Sequence, residues 1–235
     1  MQKGVKFRIY PNKEQQKLIN QTFGCCRFVY NMGLKARSDG YKNGEKINFA
    51  QTSKMLTELK TQEDYEFLKE VDSKALQQSL RDLDRGFVNF FAKRANYPCF
   101  KSKRNNHQSY RTVNQGGVRI EGNRIRLPKI GYVKIKQSME VGHINNATIE
   151  RSPSGKYYVV LNVEFEPVSK PCKGGKIGMD MGIRNFYTDS NGNVAANPKF
   201  TEKAMRRLVR EQRRLSRKQK NSNNRRKQRF KISLV

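Results

Sequence analysis

The chain of 235 residues contains no tryptophan, two histidines, four cysteines and 20 acidic residues. Each scarcity excludes something. Cys25 and Cys26 adjoin, Cys99 and Cys172 stand alone, and no pair has C-x-x-C spacing, so the sequence offers no zinc set. The thiols read as reduced and either buried or incidental, as in a cytoplasmic protein. His107 and His143 have no partner motif and read as a surface residue and a strand-end residue. No apolar run approaches the roughly 20 residues of a spanning helix, and Met1 to Tyr10 has no signal-peptide pattern. The expectation is a cytoplasmic chain with no membrane partner.

What the chain has in excess is positive charge. Forty-nine Lys and Arg give a formal net charge of +29 and a pI near 10.3. An ordinary domain needs far less charge to stay dissolved, so the natural counterpart is a polyanion, and with membranes set aside that means nucleic acid. The hydrophobic fraction of 35% is low, yet 13 Phe and 10 Tyr can each bury a large area, so folded units joined by basic stretches are expected.

Val5, Phe7 and Ile9 alternate with Lys6, Arg8 and Tyr10 in the period of a strand with one wet face, ended by Pro11-Asn12. Leu18, Ile19, Phe23, Cys26, Val29, Tyr30 and Gly33 recur at helical steps and predict a helix over 13–40. Further helices are predicted over 49–59 and 73–91, the latter capped by Asp72 or Ser73 and carrying Leu76, Leu80, Leu83, Phe87, Phe90 and Phe91. The first strand has no partner nearby and should pair with strands at 118–120, 124–127, 132–136, 147–151 and 157–165, which suggests a small antiparallel barrel. Residues 167–175 read as a linker. A short strand carrying Asp180, a turn at 190–193 and a basic helix starting near Asn197-Pro198 complete the parse, an α+β chain overall.

Two basic stretches are candidates for nucleic-acid contact. In 100–111, Lys101, Lys103, Arg104 and Arg111 suit phosphates, while Tyr110 and Phe100 suit base stacking; a solvated linker is the alternative. On the last helix, Arg206, Arg207, Arg210, Arg213, Arg214 and Arg217 would repel one another without a polyanion. Asp180 lies in Lys176-Ile-Gly-Met-Asp-Met-Gly-Ile-Arg-Asn-Phe186, an apolar segment broken by one carboxylate and closed by glycine. RuvC-type and RNase H-like nucleases present their first metal-binding aspartate in this way; a strand-end aspartate is the plainer reading. Asp189 precedes a turn and reads as structural.

Six segments occur in order: Lys6-Phe-Arg-Ile-Tyr-Pro-Asn, Phe23-Gly-Cys-Cys-Arg-Phe-Val-Tyr-Asn, Asn89-Phe-Phe with Tyr97-Pro-Cys-Phe-Lys-Ser-Lys, Arg126-Leu-Pro-Lys-Ile-Gly, Ser154-Gly-Lys-Tyr-Tyr and Gly178-Met-Asp-Met-Gly-Ile. Together they resemble the TnpB or OrfB proteins of bacterial insertion sequences, RNA-guided DNA nucleases related to type V CRISPR effectors. The resemblance implies a wedge β-barrel (strand 1–10 and residues 96–170) and an inserted helical recognition lobe (11–95, helix-turn-helix-like over 11–45). It implies the start of an RNase H-like RuvC domain over 171–235. It further implies guide RNA from the transposon end and target DNA as partners, Mg²⁺ as cofactor, Asp180 as a catalytic metal position and a bacterial cytoplasmic setting.

The family also carries a second catalytic carboxylate, a four-cysteine zinc ribbon and a third carboxylate. None of these lies within the 235 residues. The expectation is a C-terminally truncated member that does not cut as given, since ions roughly 4 Å apart need several converging carboxylates. A retained RNA-guided or RNA-binding factor that blocks DNA without cutting, and a general basic RNA-binding protein, are the alternatives. Cys99 stands where the family usually has a basic residue.

Overall fold

The computed structural model describes residues 1–104, 107–167 and 174–235, which form two compact units, Met1–Glu166 and Pro167–Val235. Cys172 and most of the linker expected over 167–175 lie outside the described residues.

In the first unit, β1 (Gln2–Tyr10) is followed by α1 (Lys13–Lys42), α2 (Phe49–Leu59), a 3₁₀ segment (Glu63–Leu68) and α3 (Ser73–Phe91). Then come β2 (Gln108–Val113), β3 (Arg119–Glu121), β4 (Arg124–Leu127), β5 (Gly131–Lys136), β6 (Ile144–Arg151) and β7 (Tyr157–Glu164). The seven strands make one antiparallel sheet in the order β2-β6-β7-β1-β5-β4-β3. The first strand therefore sits in the middle, with Phe7 opposite Val159 on β7 and Ile9 opposite Ile135 on β5. Its alternation decides its faces: Val5, Phe7 and Ile9 are buried, Lys6 and Arg8 exposed.

A small antiparallel barrel was expected; the sheet is antiparallel and curled into a half-barrel, with its two edges left unpaired among the described residues. Its edge strands β2 and β3 are not hydrogen-bonded to each other, yet only residues 114–118 join them. Six inter-strand gaps would separate the edges of a flat sheet by about 29 Å, whereas the backbone from Val113 to Arg119 spans at most about 22 Å. Curling is therefore compulsory. Asn114 fixes it: its side chain accepts from Val118 N (2.9 Å) and donates to Val118 O (3.0 Å) and, on β6, to Ile144 O (2.8 Å).

The helices pack on the concave side and share one core with the sheet. A capping box between Asn12 and Gln15 starts α1, and the Gln15 amide also donates to Tyr132 O on β5 at 2.8 Å. The α1 stripe of Ile19, Phe23, Cys26 and Val29 is buried. Asp72 caps α3 by accepting from Lys74 N, while its other carboxylate oxygen accepts from the Thr112 hydroxyl on β2, so the start of the helix is tied to the sheet edge. Where α1 crosses α3, a Cβ at Gly33 would lie 2.8 Å from Leu80 Cδ2 and 3.0 Å from Leu83 Cδ2, so the glycine sets how closely the helices approach. Burial pushes the Cys25 thiol up to about 11 and that of Cys26 up to about 12, which leaves both inert as nucleophiles.

Residues 13–42 are one uninterrupted helix. One strand lies outside those the sequence predicts: residues 108–113 are β2. Tyr110 and Thr112 alternate inward there, a two-residue period masked in the sequence by the basic stretch before it.

The second unit holds β8 (Met179–Asp180), β9 (Asn185–Asp189), β10 (Val194–Ala196), α4 (Phe200–Ser216) and α5 (Asn223–Ile232). The strands form an antiparallel sheet in the order β10-β9-β8. Asp189 closes the β9–β10 turn, its Oδ1 accepting from Asn191 N (2.9 Å) and Asn193 N (2.8 Å). These bonds, with the Asn193 side-chain amide foremost, hold its carboxyl below the usual range, which makes it the structural residue the sequence suggested. Helix α4 begins later than expected. Asn197 accepts from Lys199 N in a turn of its own, and Lys199, with φ +50°, occupies the cap position.

Candidate nucleic-acid interface

The sequence-selected residues of 100–111 separate into different roles. Asn31 on α1 clamps the backbone of Lys101, accepting from its N–H at 2.8 Å and donating to its carbonyl at 3.0 Å. The Lys101 ammonium lies 4.0 Å from the centroid of the Tyr30 ring, and desolvation lowers its pKa although nearby Asp82 opposes the shift. Arg111 forms an ion pair with Asp82 of α3. Tyr110 corrects the stacking expectation: it is 6% exposed, packs edge-to-face on Phe23 and belongs to the core, so it has no face to offer a base. Phe100 does stay exposed, and Lys103 and Arg104 keep their charges in solvent.

On α4, Arg206, Arg210, Arg213 and Arg217 recur at four, three and four residues and so form one stripe, with Arg207 and Arg214 seven apart beside it. All six are exposed. Arg206 pairs with Glu202, and Arg214 with Glu211 at 2.8 Å; Arg207, Arg213 and Arg217 form no ion pair among the described residues. A polar clasp joins α4 to α5. Gln228 donates to Glu211 Oε2 (2.7 Å) and Glu211 O (3.1 Å), and Arg225 donates to Leu215 O (3.0 Å) and Lys218 O (3.1 Å). The Gln228 bond, assisted by the surrounding cations, lowers the Glu211 pKa.

A third basic surface escaped sequence reading. Pairing places Arg8 beside Lys136, Tyr10 beside Lys134, Lys134 beside Arg124, Tyr132 beside Arg126, and Arg126 beside Arg119, all on the convex face of the sheet and all exposed. Glu121 offsets part of this by pairing with Arg119. Each strand alone reads as ordinary alternation. Only the register, which brings residue 8 next to 136, collects the charges.

Asp180 is exposed on β8, opposite Thr188 of β9. Asp189 lies opposite Met179, one residue out of phase, so the two carboxylates leave the sheet on opposite faces. No group of three or more His, Cys, Asp or Glu side chains able to hold a metal occurs among the described residues. The side chains described do not make up a two-ion centre. No helix among them is long and apolar enough to cross a membrane.

A sheet covered by helices, followed in sequence by a short-strand aspartate and arginine-rich helices, defines a strongly basic chain of two compact units. Comparison with known proteins makes this specific. Residues 1–46 match the OrfB IS605 family model described as a helix-turn-helix domain, and residues 158–235 match the model described as "Probable transposase". A "Putative RNA-guided DNA endonuclease" of Streptomyces pristinaespiralis is 35% identical over 239 residues, covering all of this chain and 60% of that protein. InsQ of Escherichia coli K12, of the same description, is 37% identical over 231 residues, covering 97% of this chain and 57% of that protein. The virulence protein VsdF of Salmonella dublin is 34% identical over 113 residues, 44% of this chain and 95% of its own length. The chain belongs to the TnpB/OrfB family of insertion-sequence proteins. It spans about 60% of the length of the two endonuclease relatives.

Proposed function

We propose that this chain binds a guide RNA from its element's end and target DNA in the bacterial cytoplasm. In this reading the curled sheet is the wedge, α1 to α3 are the recognition lobe, and β8 to β10 begin an RNase H-like RuvC domain with Asp180 at its first catalytic position. Lys103, Arg104 and the α4 arginines hold phosphates, and base pairing by the RNA selects sequence, as in RNA-guided recognition generally. The observation that carries the reading is the clustering of unneutralised cations on α4 and on the convex face of the sheet, in a chain whose relatives are described as RNA-guided DNA endonucleases.

We further propose that these residues do not cut DNA by themselves, because Asp180 has no carboxylate partners among the described residues and one carboxylate does not position a pair of hydrated Mg²⁺ ions. Mg²⁺, where bound in the family's complete site, supplies the attacking water and steadies the leaving oxygen; no step of that chemistry is assigned to this chain. The test is to purify the chain, sequence the RNA that accompanies it, and assay a matched DNA target with Mg²⁺. A transposon-end transcript without cleavage is expected. Ribosomal RNA alone would mark a general RNA binder, and Mg²⁺-dependent cleavage abolished by Asp180→Ala would overturn the non-cutting part.

A further inference from the structure

Between the middle of α1 and the β6–β7 turn lies a cavity of about 460 Å³ whose charged lining among the described residues is Arg27, Lys103 and Arg151, with no carboxylate among them. Asn20, Ser152 and the buried ring of Phe23 complete much of the wall. The cations are held by neutral partners: Arg27 Nη1 donates to Gln108 Oε1 at 3.0 Å, and Arg151 Nη1 lies 3.5 Å from Asn20 Oδ1. Asn20 is itself fixed by donating to the Tyr157 hydroxyl at 3.2 Å. The nearest acid in sequence, Glu150, pairs instead with Lys6 and His107. None of the three cations forms an ion pair among the described residues.

Three like charges around one hollow repel one another unless an anion fills it. The wall supplies a second observation. Gly24 lies in the interior of α1, where glycine costs roughly 1 kcal/mol against alanine, yet a Cβ there would meet only Arg27 Nη2, at 3.9 Å. Packing does not demand this glycine. Its effect is to leave bare backbone beside the Arg27 guanidinium, room for a group to approach.

We infer that this cavity is a backbone-phosphate site, in which Arg27, Lys103 and Arg151 take one phosphodiester of a bound nucleic acid. The inference rests on the nucleic-acid-binding function proposed above and adds to it residues 27 and 151, which lie outside both basic stretches of the sequence. A guanidinium suits the task because its fork matches two phosphate oxygens at once. Ser152 and Asn20 offer neutral hydrogen bonds at the rim.

The test uses the full chain and two probes, a single-stranded RNA and a DNA duplex of about 20 nucleotides or base pairs, titrated across salt. Arg27→Gln/Arg151→Gln is compared with Lys42→Gln/Lys46→Gln, which removes the same charge from exposed positions outside the cavity. Arg151→Gln alone, at an exposed residue, guards against misfolding of the double variant. The double variant should lose on the order of tenfold affinity or more for at least one probe, with the log-log salt slope shallower by about 1 to 2, while the lysine control changes little. The probe that loses affinity tells whether RNA or DNA supplies the phosphate. Equal losses in the cavity and control variants, or an unchanged slope in both Arg151→Gln and the double variant, would overturn the site alone. Failure of the unaltered chain to bind either probe would overturn the site together with the binding function.

Discussion

The two units solve the problem of burial in opposite ways. Every buried hydrophobic side chain among the described residues lies in the first unit, from Val5 to Val163, whereas the second unit's buried residues are the polar pair Glu211 and Gln228. The second unit leaves Met179, Met181, Ile183, Phe186 and Phe200 exposed, Ile183 at 88%. Hydrophobic burial is the main favourable term in folding, so the first unit carries its own stability and the second depends on hydrogen bonds and on whatever covers it. Charge is distributed over both. The candidate nucleic-acid contacts therefore occur in each unit, while buried apolar surface among the described residues is concentrated in the first.

The sharpest way to break this comparison is to separate the units. Residues 1–166 expressed alone should melt cooperatively, and residues 167–235 alone should show no cooperative transition by circular dichroism; the reverse result would refute it. Within the full chain, Leu80→Ala, at a fully buried position, should cost about 2–5 kcal/mol in denaturant unfolding. Phe186→Ala, half exposed on β9, should cost well under 1 kcal/mol by the same assay. Replacing Arg206, Arg207, Arg210 and Arg213 together by Ala should leave melting nearly unchanged but lower the salt slope of RNA binding by about one per charge removed. Unaltered binding would make the α4 stripe merely a solvated face.

Smaller effects sharpen the picture inside the second unit. The Glu211 pKa is lowered in the folded hairpin, so its contribution is present above the ordinary carboxylate range and is lost as pH falls through the lower, folded value. Helicity of α4–α5 should hold steady from neutral pH down to that range and then decline, and Glu211→Gln should remove the acid-dependent step. Asp180→Ala should be the quietest change, with melting and RNA binding within error of the parent, because the exposed carboxylate has no hydrogen-bond or ion-pair partner among the described residues to lose. Unfolding of that variant would make Asp180 structural.

Much of the architecture was legible because local pattern and tertiary role agree. The stripe over Leu76 to Phe91 and the cap at Asp72 gave α3 its observed limits, and the alternation of Val5, Phe7 and Ile9 gave β1 its buried face. Where local chemistry and tertiary role diverge, the sequence misleads. Tyr110 sits beside a run of Lys and Arg, but strand alternation turns it inward. Arg111 and Lys101 look like phosphate ligands, but one meets Asp82 and the other Tyr30 through contacts 29 and 71 residues away. The convex cationic face and the Arg27–Arg151 cavity depend on register and helix placement, which no local pattern contains.

The central position of β1 has a consequence for how the chain comes off the ribosome. Residues 2–10 emerge before their partners on β5 and β7, which end at Lys136 and Glu164. At roughly 5–20 residues per second, the strand waits on the order of 10 s or more for its second neighbour to be made. During that interval α1, α2 and α3 have local contacts from which to form, while an apolar, cationic strand stays unpaired. Synthesis thus delays closure of the shared core until after Glu164, so a nascent chain arrested before β7 should be protease-sensitive at its N-terminus however helical it has already become.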